Sequence, residues 1–271
     1  MAKNLLKEVM IKHEEVLKIR KAVGSKSTKE SSDLVKKIES GYVLKFPTKF
    51  NKKKSFAPST LTFGHGECAR YWYLAFDGAD FEEMSDARGI ANRTGGTASH
   101  ERIQEAMLHS GILSLKEFEI KSENPPIYGY GDVLLKWNGT DEFLGEIKTI
   151  TDDDFKYRKD NLKAKDAHIM QVLIYMKILN KTEAVIIYEN KNTHELLAIP
   201  IFMTEQYQKW VDGAFEWMKE VRKAWTDRTL PIKNYRSNSK ICKYCPVQQA
   251  CANAETGVIK IKPLEELSET V

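Results

Sequence analysis

Cysteine placement constrains this chain more than any other feature. Three of its four cysteines, Cys242, Cys245 and Cys251, fall in one polar run near the C-terminus, and Cys68 stands alone far upstream. Four thiolates are enough to hold one iron–sulfur cluster or one zinc ion. A group held this way would fasten the two ends of the chain together and enclose what lies between them. Four cysteines are too few for a disulfide scaffold in a chain of 271 residues. Clustered cysteines in a reducing compartment are more often ligands than bridges. The polarity of the run from Cys242 to Cys251 argues against four unligated core thiols.

The chain is long enough for one large domain or two small ones. No apolar run reaches the roughly 18 residues needed to span a bilayer. The N-terminal Met-Ala-Lys-Asn-Leu-Leu-Lys lacks the apolar segment and cleavage site of a secretory leader. The expectation is a soluble protein that stays in the cytoplasm, with no membrane partner. Basic residues number 42 and acidic residues 38, a net charge of +4. That balance does not prove nucleic-acid binding by itself; clustering of the basic residues has to carry it.

Residues 4–23 read as an amphipathic helix, with Leu6, Val9, Met10, Val16 and Leu17 on one face. A second short helix is expected around 30–39. A lysine-rich loop over Lys45–Lys54 leads into a helix bearing Cys68. A break at Gly95-Gly96 precedes a helix over 99–110. Strand-like runs follow at Glu117–Ser122, Ile127–Trp137 and Glu142–Ile150, with Asn138-Gly139 as a hairpin signal. Helices are expected over Ala167–Asn180 and Glu205–Trp225, with strands at Glu183–Glu189 and Glu195–Ile201 between them. The order is that of an α/β fold, a mixed central sheet flanked by helices. The expected division is an N-terminal helical extension over 1–50, a main domain over 51–255 that includes the cysteines, and a C-terminal tail over 256–271.

The central strands carry the chemistry. Asp132 leads into Val-Leu-Leu, and Gly145-Glu146-Ile147-Lys148 places an acid and a base two residues apart. At strand period Glu146 and Lys148 share a face and Ile147 takes the other. Two converging carboxylates form a hard, oxygen-rich site suited to magnesium or manganese. A neighbouring lysine adds a cation for developing charge. Glu-x-Lys alone is common and on its own reads rather as a surface ion pair in an exposed hairpin. The pairing also has a geometric condition. A strict two-residue turn at Asn138-Gly139 sets Asp132 opposite Gly145, with Glu146 facing away. The two acids share a face only if the connection has an odd length or a bulge intervenes.

The ordered series Gly96-x-x-x-His100, Gly129-x-x-Asp132, Glu146-x-Lys148 and Gln171-x-x-x-Tyr175 resembles the motifs of RecB-like nucleases of the PD-(D/E)XK superfamily. Cys68 together with Cys242-x-x-Cys245 and Cys251 resembles the iron–sulfur branch, which includes the CRISPR-associated RecB-like exonucleases and the nuclease domain of AddB. The resemblance spans roughly residues 56–253. Glu146 stands where an Asp is more usual in RecB-like members, a change the superfamily pattern allows. The resemblance implies a restriction-endonuclease-like core with a 4Fe–4S cluster on Cys68, Cys242, Cys245 and Cys251 joining the N- and C-terminal parts. It implies a Mg2+ or Mn2+ site on His100, Asp132, Glu146 and the carbonyl of Ile147. Lys148 would be the catalytic lysine, with Gln171 and Tyr175 lining the DNA path. The implied activity is that of a metal-dependent DNA exonuclease acting on single-stranded ends or on recombination and repair intermediates.

Lys156, Arg158, Lys159, Lys163 and Lys165 follow the Glu-x-Lys strand and suit a phosphate-backbone track, with Lys163 and Lys165 the expected DNA contacts. Arg70 and its aromatic neighbours Tyr71, Trp72 and Tyr73 offer either base stacking or packing around the cysteines. The first helix suits docking on its own domain, a protein partner or self-association. A non-catalytic DNA-binding subunit of a larger repair, helicase or integration complex is the alternative function.

Overall fold

The computed structural model describes residues 28–45, 52–82, 86–136 and 142–270. The amphipathic helix expected over 4–23 and most of the lysine-rich loop lie outside them. The chain divides into two units, residues 1–48 with 85–93, and residues 49–84 with 94–271. In the first unit, helix α1 (Thr28–Lys45) exposes Leu34, Val35 and Ile38.

The second unit is built on one five-stranded mixed sheet in the order β1 (Leu113–Ser122), β2 (Ile127–Leu135), β3 (Phe143–Ile150), β4 (Glu183–Asn190) and β5 (Leu196–Phe202). All neighbouring pairs are antiparallel except β3 and β4, which run parallel. That parallel pair needs a crossover, supplied by α5 (Asp152–Asn161) and α6 (Asp166–Leu179). The expected α/β class is met.

Helix α5 went unread because its charges suggested a track. Its start is nonetheless written in Thr151, whose side chain accepts from the Asp154 amide, and in the acids Asp152, Asp153 and Asp154 of the first turn. Arg158 and Lys159 complement the dipole at its other end.

Two apolar layers sandwich the sheet. The larger packs α3 (Ala69–Asp77), α6 and α7 (Glu205–Thr226) around Phe56, Trp72, Ile120, Leu144, Leu173 and Trp217. The ring centroids of Phe56 and Trp72 lie 4.8 Å apart and those of Phe56 and Phe76 5.0 Å. The smaller layer sets Ile103 and Met107 of α4 (Ala87–His109) against Val133, Leu135, Ile147 and Ile187. Tyr71, Trp72 and Tyr73 are buried, so of the two roles open to them packing prevails.

The break expected at Gly95-Gly96 is absent. Helix α4 runs through both glycines from Ala87 to His109. Gly96 faces β3: a Cβ there would make ordinary contact with Thr149 Oγ1 at 3.5 Å. The helix thus lies near enough to the sheet for His100, one turn on, to reach β2. Residues 256–264 also dock. Trp217 Nε1 donates to the Lys262 carbonyl at 2.7 Å, and Ile261 and Leu264 are buried.

Candidate metal centre and cysteine cavity

The site begins where two strands part. β2 and β3 pair only at Val133–Gly145, Leu134–Leu144 and Leu135–Phe143. This register is not that of a two-residue turn at Asn138-Gly139. It requires an odd-length connection through residues 136–142, of which 137–141 lie outside the described residues, and it sets Asp132 level with Glu146. β2 continues along β1 and β3 along β4. In the gap, Asp132 Oδ2 replaces a backbone carbonyl and accepts the Ile147 amide at 2.7 Å.

Around that gap the structure gathers most of the expected residues. Glu146 is 1% exposed, and its Oε1 accepts from Lys148 Nζ at 2.5 Å and from Gln171 Nε2 at 2.6 Å. Its buried Oε2 has no hydrogen-bond partner among the described residues. His100 Nδ1 lies 3.5 Å from Asp132 Oδ1. Gln171 and Tyr175 face the site from α6 but are buried, so they do not line an open DNA path. Gln171 instead holds Glu146, and a Cβ on Gly129 would come within 2.7 Å of the Tyr175 hydroxyl.

Burial pushes Glu146 up to about 7, against the opposing pull of Lys148. Burial alone would lower the Lys148 ammonium, but Glu146 and Asp132 outweigh it and the net shift is upward. His100 behaves alike: burial lowers it, Asp132 raises it more, and it ends above the usual histidine range. The upward shifts of His100 and Lys148 both come from Asp132 and Glu146, so these acids favour a positive partner in the cleft. A buried carboxylate oxygen without a donor carries an unpaid desolvation cost that a hard cation would remove.

Sequence reasoning missed Glu117. Among the described residues, the only group of three or more His, Cys, Asp or Glu side chains whose ligand atoms all lie within 4.8 Å of one another is His100, Glu117 and Asp132. That triad is consistent with a divalent-cation site. Glu117 lies on β1 between the pairs Lys116–Val133 and Phe118–Gly131, hence across from Asp132, and its φ is +49°. Gln104 Nε2 donates to Glu117 Oε1 at 2.8 Å and to the Asp132 carbonyl at 3.1 Å. No local motif marks Glu117; only the β1–β2 register and the α4 crossing bring it in.

The cysteines form a second constellation. Cys68 caps the start of α3, Cys242 lies in α8 (Lys240–Lys243), Cys251 in α9 (Gln248–Asn253), and Cys245 between them. All four line one cavity of about 100 Å³ with Tyr71 and Val247. Burial pushes the Cys68 thiol up to about 11 and that of Cys245 up to about 12.

Of the three expected DNA contacts, Arg70, Lys163 and Lys165, the first takes a different role. Arg70 is 1% exposed and turned inward, where it donates to Cys251 Sγ at 3.3 Å, the Pro231 carbonyl at 2.7 Å and the Glu255 carbonyl at 2.8 Å. As placed it is a strut of the cysteine cavity, not a phosphate contact. Lys163 and Lys165 lie at the surface beside Tyr157 and Arg158 along one groove. Each has an acid nearby, Lys163 with Asp166 at 3.9 Å and Lys165 with Asp154 at 3.5 Å.

The described chain is thus a mixed α/β protein with a helix-flanked sheet and a metal-suited cleft at its parted strands. No protein-family model matches the sequence, and no curated protein matches it. Among solved structures it is similar to that of SSO0001, at 14% identity and a TM-score of 0.47, covering 82% of this chain and 97% of that one. It is also similar to an alkaline exonuclease, LHK-Exo, from Laribacter hongkongensis, at 11% identity and a TM-score of 0.48, covering 64% of this chain and 91% of that one. The same exonuclease in complex with dAMP matches at 12% identity and a TM-score of 0.47. Among the described residues no helix is long and apolar enough to cross a membrane.

Proposed function

We propose that this chain is a divalent-metal-dependent deoxyribonuclease of the RecB-like PD-(D/E)XK type, an exonuclease on DNA with free or single-stranded ends in recombination or repair. The observation that carries the reading is the unpartnered, buried Oε2 of Glu146 beside Asp132 and Lys148 at the parted strands. Asp132, Glu146, His100 and the Ile147 carbonyl would hold Mg2+ or Mn2+, with Glu117 as a further oxygen donor. When bound, such an ion polarises a phosphoryl oxygen and lowers the pKa of water at neutral pH. Lys148 keeps its charge through the reaction and offsets the negative charge that builds on the phosphate. Gln171 keeps Glu146 aimed, and Asp132 orients the Ile147 peptide through its amide.

The cysteine cavity supports a structural 4Fe–4S cluster on Cys68, Cys242, Cys245 and Cys251. Its role would be to staple α3 to the C-terminal segment. A reducing cytoplasm, where thiols stay free of disulfides, suits that chemistry.

The test is single-turnover cleavage of end-labelled DNA with magnesium or manganese. Asp132→Ala and Lys148→Ala should each lose at least about 100-fold in rate, while still binding DNA. Calcium should support binding without cleavage, being larger and less strict in geometry. Both variants cleaving at the wild-type rate would remove the assignment to this site. A wild type that binds DNA but cleaves under no metal or DNA form would give way to the non-catalytic subunit. Anaerobically prepared protein should contain iron and sulfide and lose them in Cys68→Ala; stoichiometric zinc without iron would exclude the cluster.

A further inference from the structure

Tyr128 and Tyr130 are large aromatic side chains left in solvent, 38% and 50% exposed, on the strand that carries Asp132. They occupy alternate positions of β2, as Asp132 does, so the ladder runs Tyr128, Tyr130, Asp132 at a step of about 7 Å. A packing role does not explain them, because the buried apolar residues of this hairpin are Ile120, Ile127, Val133, Leu134 and Leu135.

The two rings are also held in place. Their centroids stand 5.5 Å apart at 84°, an edge-to-face arrangement, and their hydroxyls meet at 2.7 Å. The Tyr128 hydroxyl bonds Glu119 as well, and Glu119 is in turn paired with Lys121 at 3.1 Å. The hydroxyls are thus tied down while much of the ring surface stays open. A tyrosine fixed in this way offers stacking area at little further entropic cost. The Lys121 charge on Glu119 reduces what would otherwise repel a phosphate chain.

We propose that Tyr128 and Tyr130 form a stacking step for unpaired bases, which guides a single strand along β2 toward Asp132. The proposal rests on the nuclease reading and deepens it by naming what selects single-stranded substrate. Bases inside a duplex present no free faces to such rings, whereas an unpaired end does. The step would therefore discriminate strand state rather than sequence, since every base has a face to stack.

The test measures binding of end-labelled DNA to the intact protein in calcium, without cleavage. Tyr128→Ala with Tyr130→Ala should lower affinity for a single-stranded oligonucleotide roughly tenfold or more, and leave blunt duplex affinity unchanged. The double Phe variant, which keeps the faces, should stay within a few-fold of wild type. Abasic positions in the terminal nucleotides should cost wild type as much as the Ala variant loses, and cost that variant nothing further. Single-strand affinity unchanged in the Ala variant, or an equal loss on duplex, would overturn the step. So would a Phe variant as weak as Ala. A wild type that cleaves normally while these variants match it sinks the step alone. A wild type that binds no DNA of either kind sinks the nuclease reading and the step with it.

Discussion

Arg70 takes a full positive charge into the interior, beside Cys251 and two backbone carbonyls. A buried guanidinium is tolerated only where its donors are met, and removing it leaves those acceptors bare. Arg70→Met should therefore destabilise the protein by about 1–3 kcal/mol and loosen the Cys251 segment. In variant protein that stays folded, DNA affinity should be unchanged. Thermal unfolding with an iron assay and a DNA titration checks this; a weaker DNA complex at full stability would return Arg70 to the substrate. From the sequence, Arg70-Tyr-Trp-Tyr reads equally as a stacking motif. Burial decided between the two, and burial is a property of what packs against a helix. Asp132, Glu146 and Lys148 were legible because strand alternation is local. Glu117 was not, because its position depends on a register between strands.

At the scale of elements, the connection from α5 to α6 is where charge and substrate should meet. Arg158, Lys163 and Lys165 line one groove there, and Arg158 and Lys165 also lie near His168 and so on the Lys148 side of the sheet. Replacing Lys163 and Lys165 together with Gln should weaken DNA binding across all sequences. The slope of log affinity against log salt should fall by about one for each lost phosphate contact. Because Asp154 and Asp166 already sit near these lysines, a slope that does not move would mean that they only solvate the surface. The helical course of 152–161 was written in its cap and its acidic first turn. The continuity of α4 through Gly95-Gly96 was not: paired glycines weaken a helix locally, whereas the packing of Ile103 and Met107 against the sheet holds the helix from outside it.

For the molecule as a whole, two part-buried histidines tie stability to pH. Burial lowers His65 to about 4, helped by Lys53, and lowers His168 to about 3, helped by Lys148, Lys165 and Arg158. Both lie below the unfolded value of about 6.5, so the unfolded chain takes up these protons first. Their contribution is complete above about pH 6.5 and is lost as pH falls toward 4 and then 3. Glu67 and Glu146, both raised to about 7, run the other way, losing stability as pH rises from about 4.5 to 7. A single-site variant separates the two. His168→Asn should lose less of its melting temperature than wild type between pH 7.5 and 4.5; an equal or greater loss would show that His168 is not held neutral. Its Nδ1 lies 3.0 Å from the Tyr188 hydroxyl, which a neutral ring can engage as acceptor.

By itself the sequence determined the alternation that puts Glu146 and Lys148 on one face, most strands and helices of the second unit, and the four cysteines as a set. These rest on interactions within one element or on composition, and such signals survive in a linear string. It also stated a condition, an odd connection between β2 and β3, without being able to meet it. Only the tertiary structure decided that the register places Asp132 level with Glu146, that the strands part so that Asp132 takes the Ile147 amide, and that Arg70 turns inward. It likewise decided that residues 85–93 group with the first unit and that the four thiols share one cavity. Each of these depends on contacts between distant segments, whose energies come from burial and shape at an interface that no local pattern encodes.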